Sequence, residues 1–415
     1  MEAAAVAADP VATPREAVSS PGRVMAVVSA AVFMASLDLF VVNIAFPDIE
    51  RDFAGSSLAG LSWVLNGYTI VFAALLVPMG RAADRIGRRR FFVGGLLLFV
   101  AASAACAGAP SVDTLVAARV VQAVGAAAIL PTSLAILVAQ LPPAKRPAAI
   151  GLWAAIGGVA AAAGPPLGGL LVQGSWRWVF LINVPVGLTA AFFAGRVLQE
   201  SRDPRVTQRP DMLGTLIFAL SIALLALGFV KAPDWGWTGW QTIAALVAAV
   251  VGLAAFVERS RVHHTPVLEL PLLRVRRFAG AVGAALLFSI AFGAMLLAGV
   301  LFLTGVWDYS ILRAGLALAP GPLMAAASAV PAGRLAPRFG ERRLAAIGCL
   351  TFAAGTASWA LRIGAEPSYL RELLPGMVLT GTGVGLTLAS VSNAAVSALP
   401  PERFATGAAV LSMAR

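Results

Sequence analysis

Lysine is nearly absent from this sequence of 415 residues: 29 of its 31 basic residues are arginine. The two lysines, Lys145 and Lys231, stand outside any Gly-x-x-x-x-Gly-Lys-Ser/Thr context, the loop that cradles the phosphates of ATP, so nothing here reads as a nucleotide-driven motor. The glycines of "GTGVG" at 381–385 lie inside an apolar run with no strand before them, which favours close helix packing over a dinucleotide site. Histidine and cysteine are equally scarce, two of each. His263 and His264 are adjacent, not spaced along one helix face, and read as solvated loop residues rather than metal or haem ligands. Cys106 and Cys349 fall in separate apolar stretches, which excludes a disulfide frame and leaves two ordinary buried small residues. Charge is thin as well, at 12% of residues against 59% hydrophobic, with mean hydropathy +0.85. A water-soluble fold could not hide that much apolar surface. A membrane-embedded enzyme or scaffold would bring a His/carboxylate cluster or a sizeable soluble domain, and the sequence carries neither. No cofactor is expected.

In place of these stand long apolar runs. We place twelve, the first near 24–46, the sixth near 178–197, the tenth near 314–333 and the twelfth near 373–398. Each has about 18–25 residues, enough to cross roughly 30 Å of hydrocarbon as helix. A thirteenth begins near Phe404, and the residues from there to Arg415 would rise only about 18 Å, so we expect an incomplete last helix. The Ala-rich opening before Arg23 carries Glu2, Asp9 and Glu16 with no apolar core, so it is no cleavable signal peptide and the first span does the targeting. With the N-terminus in the cytoplasm, 23 of the 31 basic residues fall on the inner side. Only Arg51, Arg177, Lys231, Arg313, Arg362 and Arg371 fall outside. That asymmetry orients the chain and assigns the charge of +11 to a lipid bilayer rather than to nucleic acid. Arginine in place of lysine and abundant alanine point to a gene rich in G and C, hence to the cell membrane of a bacterium.

Two residues break the apolar pattern. In "FMASLDLFVVNIAFP" (33–47), Asp38 is the one acid deep in a span, and Arg119 in the fourth span is the one such base in a complete span. Asp38 lies about 12 Å from the outer end of its helix and Arg119 about 10 Å from the same side, so the two charges share a level. Gln122 is one turn from Arg119 on the same face. A buried carboxylate is costly in a membrane and is kept for a function, here a titratable site. From 278 onward the acids are Asp308, Glu341, Glu366, Glu372 and Glu402, all in loops or at span ends, so no second carboxylate is expected in the transport path from that half.

"GRAADRIGRRR" at 80–90 recurs as "GRLAPRFGERR" at 333–343, with Pro337 where the first copy has Asp84. The copies are 253 residues apart and follow the second and tenth spans; two six-helix halves account for six of the eight intervening helices, and an inserted pair near 212–257 for the rest. Such duplication is the mark of a transporter whose bundles rock about a central site. In the loop itself, Gly80 and Gly87 permit tight reversal at helix ends, and Asp84 can accept from a helix N-terminus among the arginines.

With these stretches in view, the chain resembles the fourteen-helix drug:proton antiporter branch of the major facilitator superfamily. "LDLFVVNIAFP" resembles the signature of that branch's first helix, with Phe46 at a position where a smaller aliphatic is common. "GRAADRIGRRR" resembles the loop motif, with Gly80, Asp84, Arg85, Gly87 and Arg88 in place. "RVVQAVGAAA" (119–128) resembles the fourth-helix motif with Ala123 for glycine. "GLWAAIGGVAAAAGPPLGG" (151–169) resembles the fifth-helix antiporter motif with Gly151, Gly164, Pro165, Gly168 and Gly169 kept and Ala160 for glycine.

The resemblance implies an all-α membrane protein of the major facilitator fold, with two pseudo-symmetric six-helix bundles plus the inserted pair. The expected division is a cytoplasmic tail (1–23), an N-terminal bundle (24–197), a linker holding the pair (198–277) and a C-terminal bundle (278–415) truncated in its thirteenth helix. About seventy further residues would complete the family pattern, so the chain is expected to be a fragment or truncated product. The resemblance further implies a monomer that exports amphiphilic drugs or antibiotics against protons by alternating access. Asp38 and Arg119 would couple the proton, Asn43 and Gln122 would be polar cavity residues, the loop motif would control conformation and the fifth-helix motif would act as a hinge. An exporter dedicated to a product of the cell itself, or another solute:proton transporter, is the alternative; the fifth helix argues against symport.

Overall fold

A computed structural model of the chain describes residues 20–142, 146–202, 210–399 and 404–415. The expected tail up to residue 19 and the loop residues Lys145, Arg205, Arg209, Glu402 and Arg403 lie outside the described residues.

Among the described residues the chain is helical, without strands. The first bundle comprises α1 (Pro21–Asp52), α2 (Leu58–Ile86), α3 (Arg88–Ala107), α4 (Val112–Gln140), α5 (Arg146–Val172), α6 (Trp178–Leu181) and α7 (Asn183–Val197). The pair α8 (Met212–Trp235) and α9 (Trp240–Val262) follows, then the short α10 (Leu270–Leu273). The second bundle holds α11 (Arg276–Gly305), α12 (Ile311–Leu318), α13 (Pro320–Phe339), α14 (Glu341–Arg362), α15 (Leu374–Ser397) and α16 (Phe404–Ala414). Eleven stretches among the described residues are long and apolar enough to cross a membrane, with α6 and α7, and likewise α12 and α13, counted together; α5, 27 residues long, occupies the fifth place in the order.

Two expected spans are interrupted by proline. The sixth, read as continuous over 178–197, breaks at Ile182 because Pro185 has no N–H to give the Leu181 carbonyl. The tenth breaks at Ala319, before Pro320 and Pro322. Cys349, expected to be buried, is exposed: the buried stripe of α14 is Leu344, Gly348, Phe352 and Gly355, and position 349 falls off it.

The internal repeat extends from sequence into packing. A Cβ on Gly125 of α4 would stand 2.7 Å from the Phe99 nitrogen and 2.9 Å from the Gly95 carbonyl oxygen of α3. Gly348 and Phe352 of α14, each 253 residues further on, meet Gly383 of α15 in the same way, its Cβ position 2.5 Å from the Phe352 nitrogen and 2.7 Å from the Gly348 oxygen. Without lipid-excluded apolar surface to drive them together, membrane helices associate through such close backbone approach.

The inserted pair packs on itself and, through α8, on α2. Its outward residues Leu213, Leu216, Leu220, Ile243, Val247 and Val250 are exposed apolar side chains. Trp237 and Trp240, at the turn between the two helices, are 62% and 76% exposed, a placement suited to a membrane–water interface. From α9 the chain crosses the arginine-rich end of α2. Arg81 donates to the Pro266 carbonyl (2.8 Å) and pairs with Glu269 at 2.8 Å, while Val267 and Leu268 pack with Val77, Phe256, Ala409 and Met413. This segment thereby ties α2, α9 and α16 together. Because both charges are half-buried, the Arg81→Glu and Glu269→Arg variants should each unfold more easily in detergent. The swapped double variant should recover about 1 kcal/mol of coupling, read from a thermal-unfolding double-mutant cycle.

Candidate functional site

Asp38 and Arg119 meet inside the first bundle. The long α1 and α4 cross there, and both side chains are buried, 0% and 1% exposed. Arg119 Nη1 donates to Asp38 Oδ2 at 2.5 Å and to Gln122 Oε1 at 2.6 Å, and Nε donates to the Val64 carbonyl of α2. The second carboxylate oxygen, Oδ1, accepts from Gln122 Nε2 (3.0 Å) and from Asn183 Nδ2 (2.9 Å). Ser103 on α3 supports both amides, its Oγ accepting from Gln122 Nε2 at 2.6 Å and from Asn183 Nδ2 at 3.1 Å. The guanidinium lies 3.9 Å from the ring centroid of Tyr68 and 5.7 Å from that of Phe180. The Tyr68 hydroxyl is buried with no hydrogen-bond partner among the described residues. A buried ion pair stands only when its remaining donors and acceptors find partners, and here the Gln122 and Asn183 amides and the Val64 carbonyl bond to it.

Of the residues singled out in the sequence, Asp38, Arg119 and Gln122 are thus brought together. Asn43 is not: its amide donates to the Leu39 carbonyl of its own helix at 2.8 Å, half-buried and apart from the cluster. Asn183, Ser103 and Tyr68 are members that sequence reasoning missed. Asn183 carried a signal, a polar residue in an apolar run two positions before a proline.

At the arginine-rich end, Asp84 pairs with Arg88 at 2.7 Å across Gly87. The N-terminus of α3, which Asp84 was expected to cap, is capped by Glu200: its carboxylate accepts from the backbone N–H groups of Arg89 (3.1 Å) and Arg90 (3.2 Å). Gly87 has φ +130, and a Cβ there would stand 2.7 Å from that carboxylate, so only glycine fits. Gly80, expected at a helix end, lies inside the continuous α2 and packs against Pro131 of α4, so the reversal falls on Gly87 alone; Arg85 is exposed. Nearby, Asp211 caps α8 through the Gly214 N–H and binds Arg259 Nε and Nη2 at 2.7–3.0 Å. Burial pushes the Asp211 carboxyl up, but the Arg259 and Gly214 hydrogen bonds and the nearby His263 and Arg259 charges together hold it below the usual carboxylate range. His263, read from sequence as solvated, is half-buried with Nε2 3.9 Å from Asp211, whereas His264 is exposed.

Helix α5 joins this bundle to the other. A Cβ on Gly164 would stand 2.6 Å from Phe40 Cβ of α1, and one on Gly168 3.0 Å from Val41 Cγ2. Pro165 lies against Gly315 of α12, and Gly169 is buried. Gly151 stands in the second turn of α5. A path of direct contacts therefore runs from α1, two residues beyond Asp38, through α5 to the second bundle. In that bundle Asp308, Glu341, Glu366 and Glu372 all lie at helix ends or turns.

Two similar bundles of apolar helices, the first enclosing a buried charged pair, define a polytopic membrane transporter rather than an enzyme. The profile of the Major Facilitator Superfamily matches residues 28–415, and the chain belongs to that superfamily. It is 36% identical over 386 residues to "Multidrug resistance protein Stp" of Mycobacterium tuberculosis, covering 92% of this chain and 71% of the relative. To "Tetracenomycin C resistance and export protein" of Streptomyces glaucescens it is 34% identical over 378 residues, covering 90% and 70%. The fold matches the POT family transporter PepTSo (TM-score 0.67, 16% identity, 95% and 87% covered) and the xylose transporter XylE from E. coli (TM-score 0.61, 14%, 95% and 90%).

Proposed function

We propose that this protein exports amphiphilic drugs or antibiotics from the bacterial cytoplasm across the cell membrane, as a monomer, in exchange for protons. The relatives named for multidrug and antibiotic resistance support the cargo. The observation that carries the coupling is the Asp38–Arg119 pair, buried among hydrogen-bond partners two residues before the contact of Phe40 with Gly164 of α5. With Asp38 charged, Arg119 ties α1 to α4. When Asp38 takes up a proton from outside, the charge pair is lost, and Arg119 keeps Gln122, the Val64 carbonyl and the Tyr68 face. The tie on α1 loosens, and Phe40 on Gly164 and Pro165 on Gly315 pass the shift to the second bundle. Proton release inside restores the pair. The asymmetry of the arginines supports a cytoplasmic N-terminus. A relative named for both resistance to and export of tetracenomycin C supports including compounds of that kind among the cargo.

The test is efflux from proteoliposomes of a panel of labelled compounds under an imposed pH gradient. Drug accumulation that follows the gradient supports the reading, and uptake indifferent to it for every compound counts against it. Within the panel, neutral and monocationic lipophiles should be exported better than bis-quaternary dyes. The described acids of the second bundle all lie at helix ends or turns, and a second cationic centre would stay desolvated without a partner.

A further inference from the structure

We propose that Asn183 is the positioning residue that reads the protonation state of Asp38 and passes it to the break in the sixth span; this rests on Asp38 being the coupling carboxylate. The argument is one of donors and acceptors. As a carboxylate, Asp38 receives Arg119 on Oδ2 and two amide N–H groups, from Gln122 and Asn183, on Oδ1. When the group is neutralised, the guanidinium retains a bare oxygen, so the hydroxyl falls at Oδ1 and faces two donors. One amide must turn over to present its oxygen. Gln122 is not free to do so, because its Oε1 already accepts from Arg119 Nη1 at 2.6 Å while its Nε2 donates to Ser103 at 2.6 Å. Asn183 is held more lightly: only its Nδ2 is engaged, to Asp38 and, at 3.1 Å, to Ser103. Its amide is therefore the one that turns.

Asn183 also occupies the position where turning matters. It is the first residue of α7, directly after Ile182, where Pro185 has removed a backbone hydrogen bond and left α6 joined to α7 by a weakened turn. Release of Nδ2 from Asp38 and Ser103 frees α7 from α1 and α3 at that turn. Facing the Asp38 carboxylate are Arg119 from α4, Tyr68 from α2 and Cys106 from α3. The central stretches of α5 and α7 and all of α6 carry no ionisable residue.

The experiment is hydrogen exchange at one pH on the purified full chain, followed in the peptide covering 178–187. Asp38→Asn, which places a neutral amide where the acid would be, should speed exchange there about tenfold, the effect of one lost charge-assisted hydrogen bond. In an Asn183→Ala background the same substitution should add little, because the link is already cut; in a Gln122→Ala background it should still act. If Asn183→Ala does not fold, Asn183→Ser, too short to span both partners, takes its place. A tenfold rise from Asp38→Asn that persists undiminished without Asn183 overturns the proposal, as does no rise at all. Gradient-driven efflux by Asp38→Asn, measured separately, tests the coupling reading itself, so the two can fail independently.

Discussion

Asp38→Asn protein in proteoliposomes is expected to bind its drugs as the parent does and to lose essentially all accumulation driven by a pH gradient. The side chain lies in the core of the first bundle, 0% exposed and hydrogen-bonded to Arg119, Gln122 and Asn183 rather than open to a drug, so substitution should leave the binding surface intact. Asparagine keeps the shape and one acceptor for Arg119, and the exchange of charged for neutral hydrogen bonds should cost about 1–3 kcal/mol of stability. What it removes is titration. With no ionisable group in the core of α5, α6 or α7 and no other carboxylate in that cluster, nothing nearby can carry the proton in its place. The measurement is substrate accumulation with and without the gradient, beside equilibrium binding of the same compound. A variant that still concentrates drug in response to the gradient would place the coupling proton elsewhere.

The lone charges were legible in the sequence because apolar spans make any ionisable residue conspicuous, and a count of helical rise was enough to bring Asp38 and Arg119 to one level. Gln122 followed from its place one turn from Arg119. The rest of the shell was not legible, for a physical reason: Ser103, Asn183 and Tyr68 are neutral, and neutral polar residues are tolerated singly in membrane helices wherever a partner can be found. Which of them faces Asp38 depends on helix rotation and on the break at Ile182. Asn43, expected as a polar cavity residue, lies five positions after Asp38 on the same helix. Five residues along a helix turn a side chain about 140° away, and Asn43 accordingly bonds its own helix. The repeat was legible in its arginine loops, and the matching Gly95–Gly125 and Gly348–Gly383 approaches carry it into the packing. The cap on α3 was not, since Glu200 comes from a segment more than a hundred residues away.

Arg119→Ala is expected to damage the protein more than Asp38→Asn, and in a way that a second substitution should partly repair. Removing the guanidinium leaves Asp38 buried with only the Gln122 and Asn183 amides for company, leaves Gln122 Oε1 with only the weak Cys106 thiol donor, and opens a space beside the Tyr68 ring. Breaking a buried pair from one side costs about 3–5 kcal/mol, because the surviving charge has lost its counter-charge but not its burial. Arg119→Lys should fail as well: a point ammonium cannot reach Asp38, Gln122 and the Val64 carbonyl together as the planar fork does. Thermal unfolding in detergent should therefore rank Asp38→Asn above Arg119→Lys, and Arg119→Lys above Arg119→Ala. The double variant Asp38→Asn/Arg119→Gln should unfold later than Arg119→Ala, since two neutral polar groups can satisfy each other where one charge cannot, yet it should stay inert to a pH gradient. A double variant no more stable than Arg119→Ala would mean that the cost arises from lost packing against Tyr68 and Phe180 and not from the stranded carboxylate.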